Sequence, residues 1–600
     1  MSGRFAHEMP FGAEIQSDGT VRFALWAPAQ EAVSVVVDGD VVPMAAGQDG
    51  WFELVTRDAG AGSRYGFRLA DGFKVPDPAS RLQAEDVHGD SIVVDPGAYD
   101  WRTPGWTGRP WEEAVLYELH VGTFSSEGTF EGIRRRLDHF ADLGVTAIEL
   151  MPIADFPGAR NWGYDGVLPY APDTRYGTPE DLKRLIDDAH GRGLMVFLDV
   201  VYNHFGPEGN YLHLYAPQTF TDRHHTPWGA AIDFSRRPVR DYFIHNALYW
   251  LEEYRFDGLR FDAVHAILDD DSPHILTELA ETVRARIGKG RHAHLVLEND
   301  ANQARYLRPG HYDAQWNDDC HHAAHCVLTG ESGGYYADYA DSPIARLGRA
   351  LAEGFIYQGE PSAFRDGEPR GEPSKGLPTT AFVDFIQNHD QVGNRAFGER
   401  LTMLAQEQAV AALQAVLLLA PSVPMLFMGE EWGAKEPFLF FCDFGDELAQ
   451  AVRDGRRREF ARFPEFRDAS ARAAIPDPIA PETFAASRLD WGRCDEAALA
   501  RTRRLLDQRH AHVVPRLAGA RGTGYRVVGA RGLAVTWSMG DGAFLRLAAS
   551  LGDETAAGDF AAAGKPIFES APDVADGARA GAMPPWSVAW FLDPSTGAHA

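Results

Sequence analysis

Six hundred residues exceed what one ordinary hydrophobic core organises, since single cores stop growing at roughly 250 to 300 residues, so two to four domains are expected unless one is a large barrel. Hydrophobic residues at 45% and charged residues at 24% exclude a largely disordered chain. The formal net charge of −29 repels nucleic-acid phosphates and anionic lipid, so no nucleic-acid partner and no membrane surface is expected.

The opening ten residues lack an apolar signal region, and the most apolar stretch, 409–428, is interrupted by Gln414, Pro421 and Pro424, so neither export nor a membrane span is expected. Four cysteines are too few for a disulfide framework and suit a reducing, cytoplasmic setting. Short apolar runs at Val21 to Trp26, Ala32 to Val37, Trp51 to Val55 and Tyr65 to Leu69, separated by Gly, Asp and Pro, predict an N-terminal β-sandwich over 1–105. Residues 100–110, with Trp101, Pro104, Trp106 and Pro110, read as a stiff linker.

Next come strand-length apolar runs at Val115 to Leu119, Ala147 to Met151, Met195 to Val201, Gly258 to Asp262, Leu295 to Glu298, Asp313 to Trp316, Phe382 to Gln387 and Met425 to Met428. Helix-period stretches such as Glu180 to Gly191, Val239 to Glu252 and His274 to Ile287 lie between them. Eight strands interleaved with helices predict a closed (β/α)8 TIM barrel over 106–516, followed by a C-terminal β domain over 517–600. The charged, Gly- and Pro-rich stretch Gly359 to Leu377 reads as a mobile excursion.

Chemistry in such a barrel gathers where strands end. Four ends are polar: Asp199 to His204 after the third strand, Arg260 and Asp262 on the fourth, Glu298-Asn299-Asp300 on the fifth and Asn388-His389-Asp390 on the seventh. Each aspartate alone reads as a turn or cap, but four clusters at barrel spacing bring three carboxylates to one mouth. Arg260 and Asp262, at i and i+2, share a strand face where the guanidinium keeps the carboxylate ionised. An ionised carboxylate beside a less stabilised carboxyl group is the machinery of glycoside cleavage.

Trp162 and Tyr164 after the second strand, with Trp228 and Trp432 on later loops, offer flat faces for sugar rings or pack as core. Cys320-His321-His322-Ala323-Ala324-His325-Cys326 holds five potential ligands without the spacing of a zinc motif, and reads as a loop that lines the cleft or packs beneath it.

These motifs resemble the four signature regions of the α-amylase clan, glycoside hydrolase family thirteen. The resemblance spans most of the chain, because a sandwich containing Phe23-Ala24-Leu25-Trp26-Ala27-Pro28 is typical of its branching, debranching and trehalose-releasing members. It implies that Asp262 is the nucleophile, Glu298 the general acid and base, and Asp390 the carboxylate that grips sugar hydroxyls. It also implies that Tyr164 stacks on the glucose being cleaved, that His204, Arg260 and His389 fix its hydroxyls or the nucleophile, and that Asp199 supports Arg260.

Within the clan, the runs at Asn161 to Tyr170, Thr226 to Ile232, Trp316 to His322 and Gln387 to Gly393 resemble the maltooligosyltrehalose trehalohydrolase group, which releases trehalose downstream of a maltooligosyltrehalose synthase. Branching enzymes, the closest rival, show Ser-His-Asp in place of Asn388-His389-Asp390 and two adjacent Glu in place of Glu298-Asn299. A 1,4-α-glucan branching or debranching enzyme is the enzymatic alternative, and a glucan-binding scaffold without turnover is the non-enzymatic one. Loops carrying Trp228, His321, His322 and Trp432 are expected to shape the trehalose side. No cofactor and no metal is expected, since the calcium-ligand domain of many amylases finds no match here.

Overall fold

The alternating runs at the N-terminal end fold as two facing antiparallel sheets in a computed structural model that describes residues 5–461, 466 and 468–594. One sheet orders Gly12–Ile15, Val21–Trp26, Trp51–Thr56 and Ala45–Ala46. The other orders Asp40–Pro43, Ser34–Val37, Arg64–Arg68 and Lys74–Val75, with Ser91–Ile92 also paired to Arg64–Arg68. Inward residues of both, among them Val21, Phe23, Leu25, Val35, Val37, Tyr65 and Phe67, share one core.

The linker is bound rather than free. Trp101 is buried, and the Trp106 indole donates to Asp257 Oδ1 at 2.8 Å. Asp257 also accepts the Val196 amide at 2.9 Å and pairs with His190 Nε2 at 2.9 Å, tying linker, helix and barrel together.

Eight parallel strands then close into a barrel: β1 (Leu116–Leu119), β2 (Ala147–Leu150), β3 (Met195–Val200), β4 (Gly258–Phe261), β5 (His294–Leu297), β6 (Ala314–Trp316), β7 (Phe382–Asp384) and β8 (Val423–Phe427). All are buried, as both faces of a parallel sheet must be when helices cover the outside. The two-residue period of the strands explains why the site sits at the mouth. Leu116, Ala147, Phe197, Val296, Trp316, Val383 and Met425 fill the inner core. Two residues further along the same faces stand Glu118, Glu149, Asp199 and Glu298, so the lumen turns from apolar to polar within one step.

Thr178 and Asp181 form the reciprocal N-terminal cap expected for the helix Pro179–His190. After the barrel, a five-stranded antiparallel sheet runs in the order Arg521–Val528, Gly532–Ser538, Phe544–Ser550, Ser587–Asp593 and Lys565–Glu569. Its Trp537 and Trp590 rings stack at 5.4 Å and donate their indole hydrogens to Leu351 O and Ala415 O on barrel helices.

Two expectations are corrected. The stretch 359–377 is anchored: Arg370 is buried and donates to Asp319 Oδ1 at 2.9 Å and Asp300 Oδ1 at 3.0 Å, and the Ser362 hydroxyl donates to Asp338. Its Gly and Pro residues make turns, while the buried Arg370–Asp319 ion pair, with the contacts to Asp300 and Asp338, supplies the hold. Residues 320–326 are not a loop but lie on the helix Asp318–Thr329, whose buried face takes both cysteines and three histidines.

One glycine fixes the approach of the second βα loop to the mouth. Gly163 sits at φ +108°, and a Cβ there would stand 2.1 Å from Pro152 O. Gly163→Ala should therefore cost about 2–4 kcal/mol in denaturant unfolding. Gly105→Ala, where a Cβ would meet nothing within 4 Å, should leave the midpoint unchanged.

Candidate active site

The Arg260 guanidinium at the end of β4 has no exposed surface. Its Nη1 donates to Asp199 Oδ2 at 2.7 Å and to Asp262 Oδ1 at 2.8 Å, its Nη2 lies 3.7 Å from Glu298 Oε2, and its plane covers the Trp316 ring at 4.2 Å. Asp262 Oδ2 also accepts from Asn203 Nδ2 at 3.3 Å. The backbone turns sharply after Asp262, with Ala263 at φ +41°, and this aims the Ala263 amide at Glu298 Oε2. The ends of β4 and β5 thus present Asp262 and Glu298 side by side, around one cation.

Their environments differ. Asp262 is matched by Arg260 and Asn203. Burial pushes the Glu298 carboxyl well above the usual range, and Asp262, Asp318 and Asp390 add to this against the pull of Arg260. Asp199 rises to about 6 because burial outweighs its contacts with Arg260 and Tyr164.

On the β7 side, Asn388 caps the short helix His389–Gly393 by accepting the Gln391 amide at 2.9 Å. His389 is buried against Glu118 of β1, which accepts its backbone amide at 3.0 Å and pairs with Nδ1. Burial opposes a charge on this imidazole, but Asp390 and Glu118 outweigh it and push the pKa up to about 9. Asp390 is the most open of the three mouth carboxylates. One oxygen accepts from Asn394 Nδ2 at 3.2 Å and the other lies 3.4 Å from His389 Nε2.

Tyr164 bridges the two halves. Its hydroxyl donates to Asp199 Oδ2 at 2.6 Å and meets His389 Nε2 at 2.8 Å, and its ring stacks on His389 with centroids 5.1 Å apart. His204 Nε2 meets Tyr164 O at 2.9 Å, and its ring stacks flat on Trp228 at 4.3 Å. Trp228 is 48% exposed, so its outer face is open at the rim.

Other expected sugar contacts lie elsewhere. Trp162 is buried, stacked on Phe438 at 5.2 Å with its indole donating to Leu439 O, and it props His389 edge-on. Trp432, expected on a cleft loop, is 1% exposed and packs near Trp491, because the turn carrying it is pinned by Glu431 to Tyr117 and His139. His321 and His322, also expected at the cleft, are corrected to packing residues of a helix. His321 Nδ1 meets Ile386 O at 2.6 Å, and the His322 ring packs against Tyr335 and Tyr339. Burial holds both imidazoles well below their usual pKa and hence neutral. Among the described residues, no group of three or more His, Cys, Asp or Glu is disposed to hold a metal ion.

Glu118, Asn203 and Trp316 complete the site without having been assigned to it from the sequence. Asn203 and Trp316 stood inside motifs already singled out, and a charged residue within the apolar run Val115 to Leu119 was the available signal for Glu118.

Residues 89–247 match the model of the alpha amylase catalytic domain, 10–96 that of carbohydrate-binding module 48, the isoamylase N-terminal domain, and 520–590 a domain of unknown function. A malto-oligosyltrehalose trehalohydrolase of Deinococcus radiodurans is 45% identical over 81% of this chain and 79% of its own length. One from Saccharolobus solfataricus is 42% identical over 80% and 84% respectively. A crystal structure from Salmonella typhimurium, described as a candidate alpha amylase, is 46% identical and superposes with a TM-score of 0.92 over 98% of this chain and all of that one. With three carboxyl groups gathered on an amylase-type barrel and such identity over most of both chains, the protein belongs to the malto-oligosyltrehalose trehalohydrolase family.

Proposed function

We propose that this chain is a retaining glycoside hydrolase that cleaves the α-1,4-glucosidic bond next to the terminal trehalose of maltooligosyltrehalose and releases trehalose. The observation that carries this reading is the placement of Asp262, hydrogen-bonded to Arg260, beside Glu298, whose carboxyl burial pushes well above the usual range, around one buried guanidinium in a chain of this family. Asp262 attacks the anomeric carbon while Glu298 gives its proton to the glycosidic oxygen, which leaves as the trehalose hydroxyl. Glu298, now a carboxylate, takes a proton from water as that water attacks the glycosyl–Asp262 ester. The shortened maltooligosaccharide departs with its anomeric configuration retained, and both side chains return to their starting states.

Asp390, held by Asn394 and His389, is placed to accept sugar hydroxyls. Tyr164, with one ring face on His389, offers the other to the glucose being cleaved. Asp199, Arg260 and His389 are too buried to cradle a ring and act through Asp262, Tyr164 and Asp390, whereas Trp228 on His204 gives an open stacking face. We assign 1–105 to the sandwich, 106–516 to the catalytic barrel and 517–600 to the C-terminal β domain. Four free cysteines support a reducing, cytoplasmic setting, downstream of a synthase that builds the trehalose-ended substrate. No described helix is long and apolar enough to cross a membrane. The intact carboxylate set favours turnover over a binding scaffold, and Asn388 and Asn299 favour hydrolysis of trehalose-ended chains over branching.

Substrate choice tests the reading. A trehalose unit is bent differently from maltose and has no reducing end, so its polar partners stay unpaired when maltose binds. Two such losses at about 1 to 3 kcal/mol each should favour maltotriosyltrehalose over maltopentaose by roughly two to four decades in kcat/KM. Equal hydrolysis of both would make the chain a general amylase, α-1,6 products a branching enzyme, and saturable binding without product a scaffold. NMR of the fresh reducing end should show the α-anomer first. An initial β-anomer removes Asp262 from the nucleophile's role.

The alkaline limb of the pH profile follows from two raised groups. Glu298 must carry its proton and His389 its charge, so activity is present below their pKa values and is lost as pH rises through them, about 9 for His389. Glu298→Gln should lower turnover of the natural substrate by about 10²–10⁴-fold yet spare release of an activated leaving group. With that substrate, only the fall set by His389 should remain.

A further inference from the structure

One buried ionisable side chain inside the barrel takes no part in this chemistry. Glu149 lies on β2, 1% exposed. It stands in register with Glu118 of β1, and Ala147, two residues earlier, belongs to the inner core, so the strand period points Glu149 into the lumen. Neither of its carboxyl oxygens has a hydrogen-bond partner. The charged groups that act on it most strongly are Glu118 from β1, Asp199 from β3, Arg260 from β4 and His389 from beyond β7. Arg260 already donates from Nη1 to Asp199 and Asp262, although its Nε and Nη2 have no hydrogen-bond partner, and His389 is paired with Glu118.

A buried carboxylate that accepts no hydrogen bond is far costlier than a neutral carboxylic acid, and two flanking carboxylates add to the cost. An ionised Glu149 would also compete for Arg260 and His389, the two cations on which the mouth is built. A neutral one has a proton to donate, and Asp199 Oδ1, buried and without a partner, is an acceptor of matching chemistry. We propose that Glu149 is a positioning residue of the active site, an uncharged carboxylic acid whose O–H steadies Asp199, directly or through one bound water, and leaves Arg260 and His389 to their own partners. Burial pushes its carboxyl well above the usual range, with Glu118 and Asp199 reinforcing the shift and Arg260 and His389 opposing it.

The proposal rests on the glycosidase reading for its effect on turnover but not for its protonation state, and two measurements separate these. Infrared difference spectra of the wild type minus Glu149→Gln at neutral pH need no substrate and should contain the carbonyl stretch of a protonated carboxylic acid. Its absence overturns the proposal. In kinetics, on whichever α-glucan the wild type cleaves, Glu149→Gln keeps a neutral donor and should stay within about threefold in kcat with an unmoved pH profile. Glu149→Met fills similar space without a donor and should lose about ten- to a hundredfold in kcat while KM changes less than about twofold. A shifted alkaline limb in Glu149→Gln, or wild-type kcat in Glu149→Met, overturns it as well. If the methionine variant fails to fold, the spectrum and the glutamine profile still decide. A wild type that cleaves no glucan sinks the glycosidase reading, while the spectrum still decides the charge of Glu149.

Discussion

The Arg260 guanidinium, stripped of water at the end of β4, is the charge around which the mouth of the barrel is arranged. Removing such a cation from solvent is expensive, and the expense is offset only when carboxylates and flat rings replace the lost hydration. Asp199, Asp262 and the face of Trp316 do this here. Asp262 is thereby held in one orientation. Asp199, engaged with Arg260, also accepts the Tyr164 hydroxyl, and that hydroxyl reaches His389. Side chains from beyond β2, β3, β4 and β7 are thus locked into one network. Taking out any one carboxylate would leave the guanidinium buried and under-compensated, an imbalance that typically costs about 3–5 kcal/mol.

The same low-dielectric lumen separates the protonation states of neighbouring carboxyl groups. Asp262 accepts hydrogen bonds from Arg260 and Asn203. One strand over, Glu298 lacks an equally close cation and faces several carboxylates, so burial favours its proton. Setting two neighbouring carboxyl groups apart needs no special residues, only unequal surroundings. His389 is the counterpart in the cationic sense, a buried imidazolium maintained because Glu118 and Asp390 outweigh its desolvation. In each case burial magnifies whichever partner lies closest.

Particular residues show how far the chain could be read in advance. The eight strands and the polar ends of the third, fourth, fifth and seventh were legible because strand-length apolar runs and barrel-spaced Asp, Glu and His depend on local order alone. Asp262, Glu298, Asp390, Arg260 and Tyr164 do meet at one mouth. Trp432, His321 and His322 were misplaced for a shared reason. An aromatic or imidazole ring serves core packing as readily as sugar binding, and its sequence neighbours do not reveal which side of an element faces solvent. Residues 359–377 read as mobile from their Gly and Pro content, but the ion pairs to Asp300 and Asp319 and the hydrogen bond to Asp338 that pin them reach beyond any local window.

By itself the sequence determined the barrel, its flanking β units and which carboxylates gather at its mouth, since each is encoded in periodicity and in motifs a few residues long. Tertiary structure alone decided which rings are open to a ligand, that Glu118 backs His389 across 271 positions, and that Glu149 stands in the lumen without a partner. The division has a physical origin. Strand direction and side-chain alternation follow from bonds between neighbours, whereas exposure, charge state and hydrogen-bond pairing depend on what the closed barrel brings within a few ångströms from distant parts of the chain.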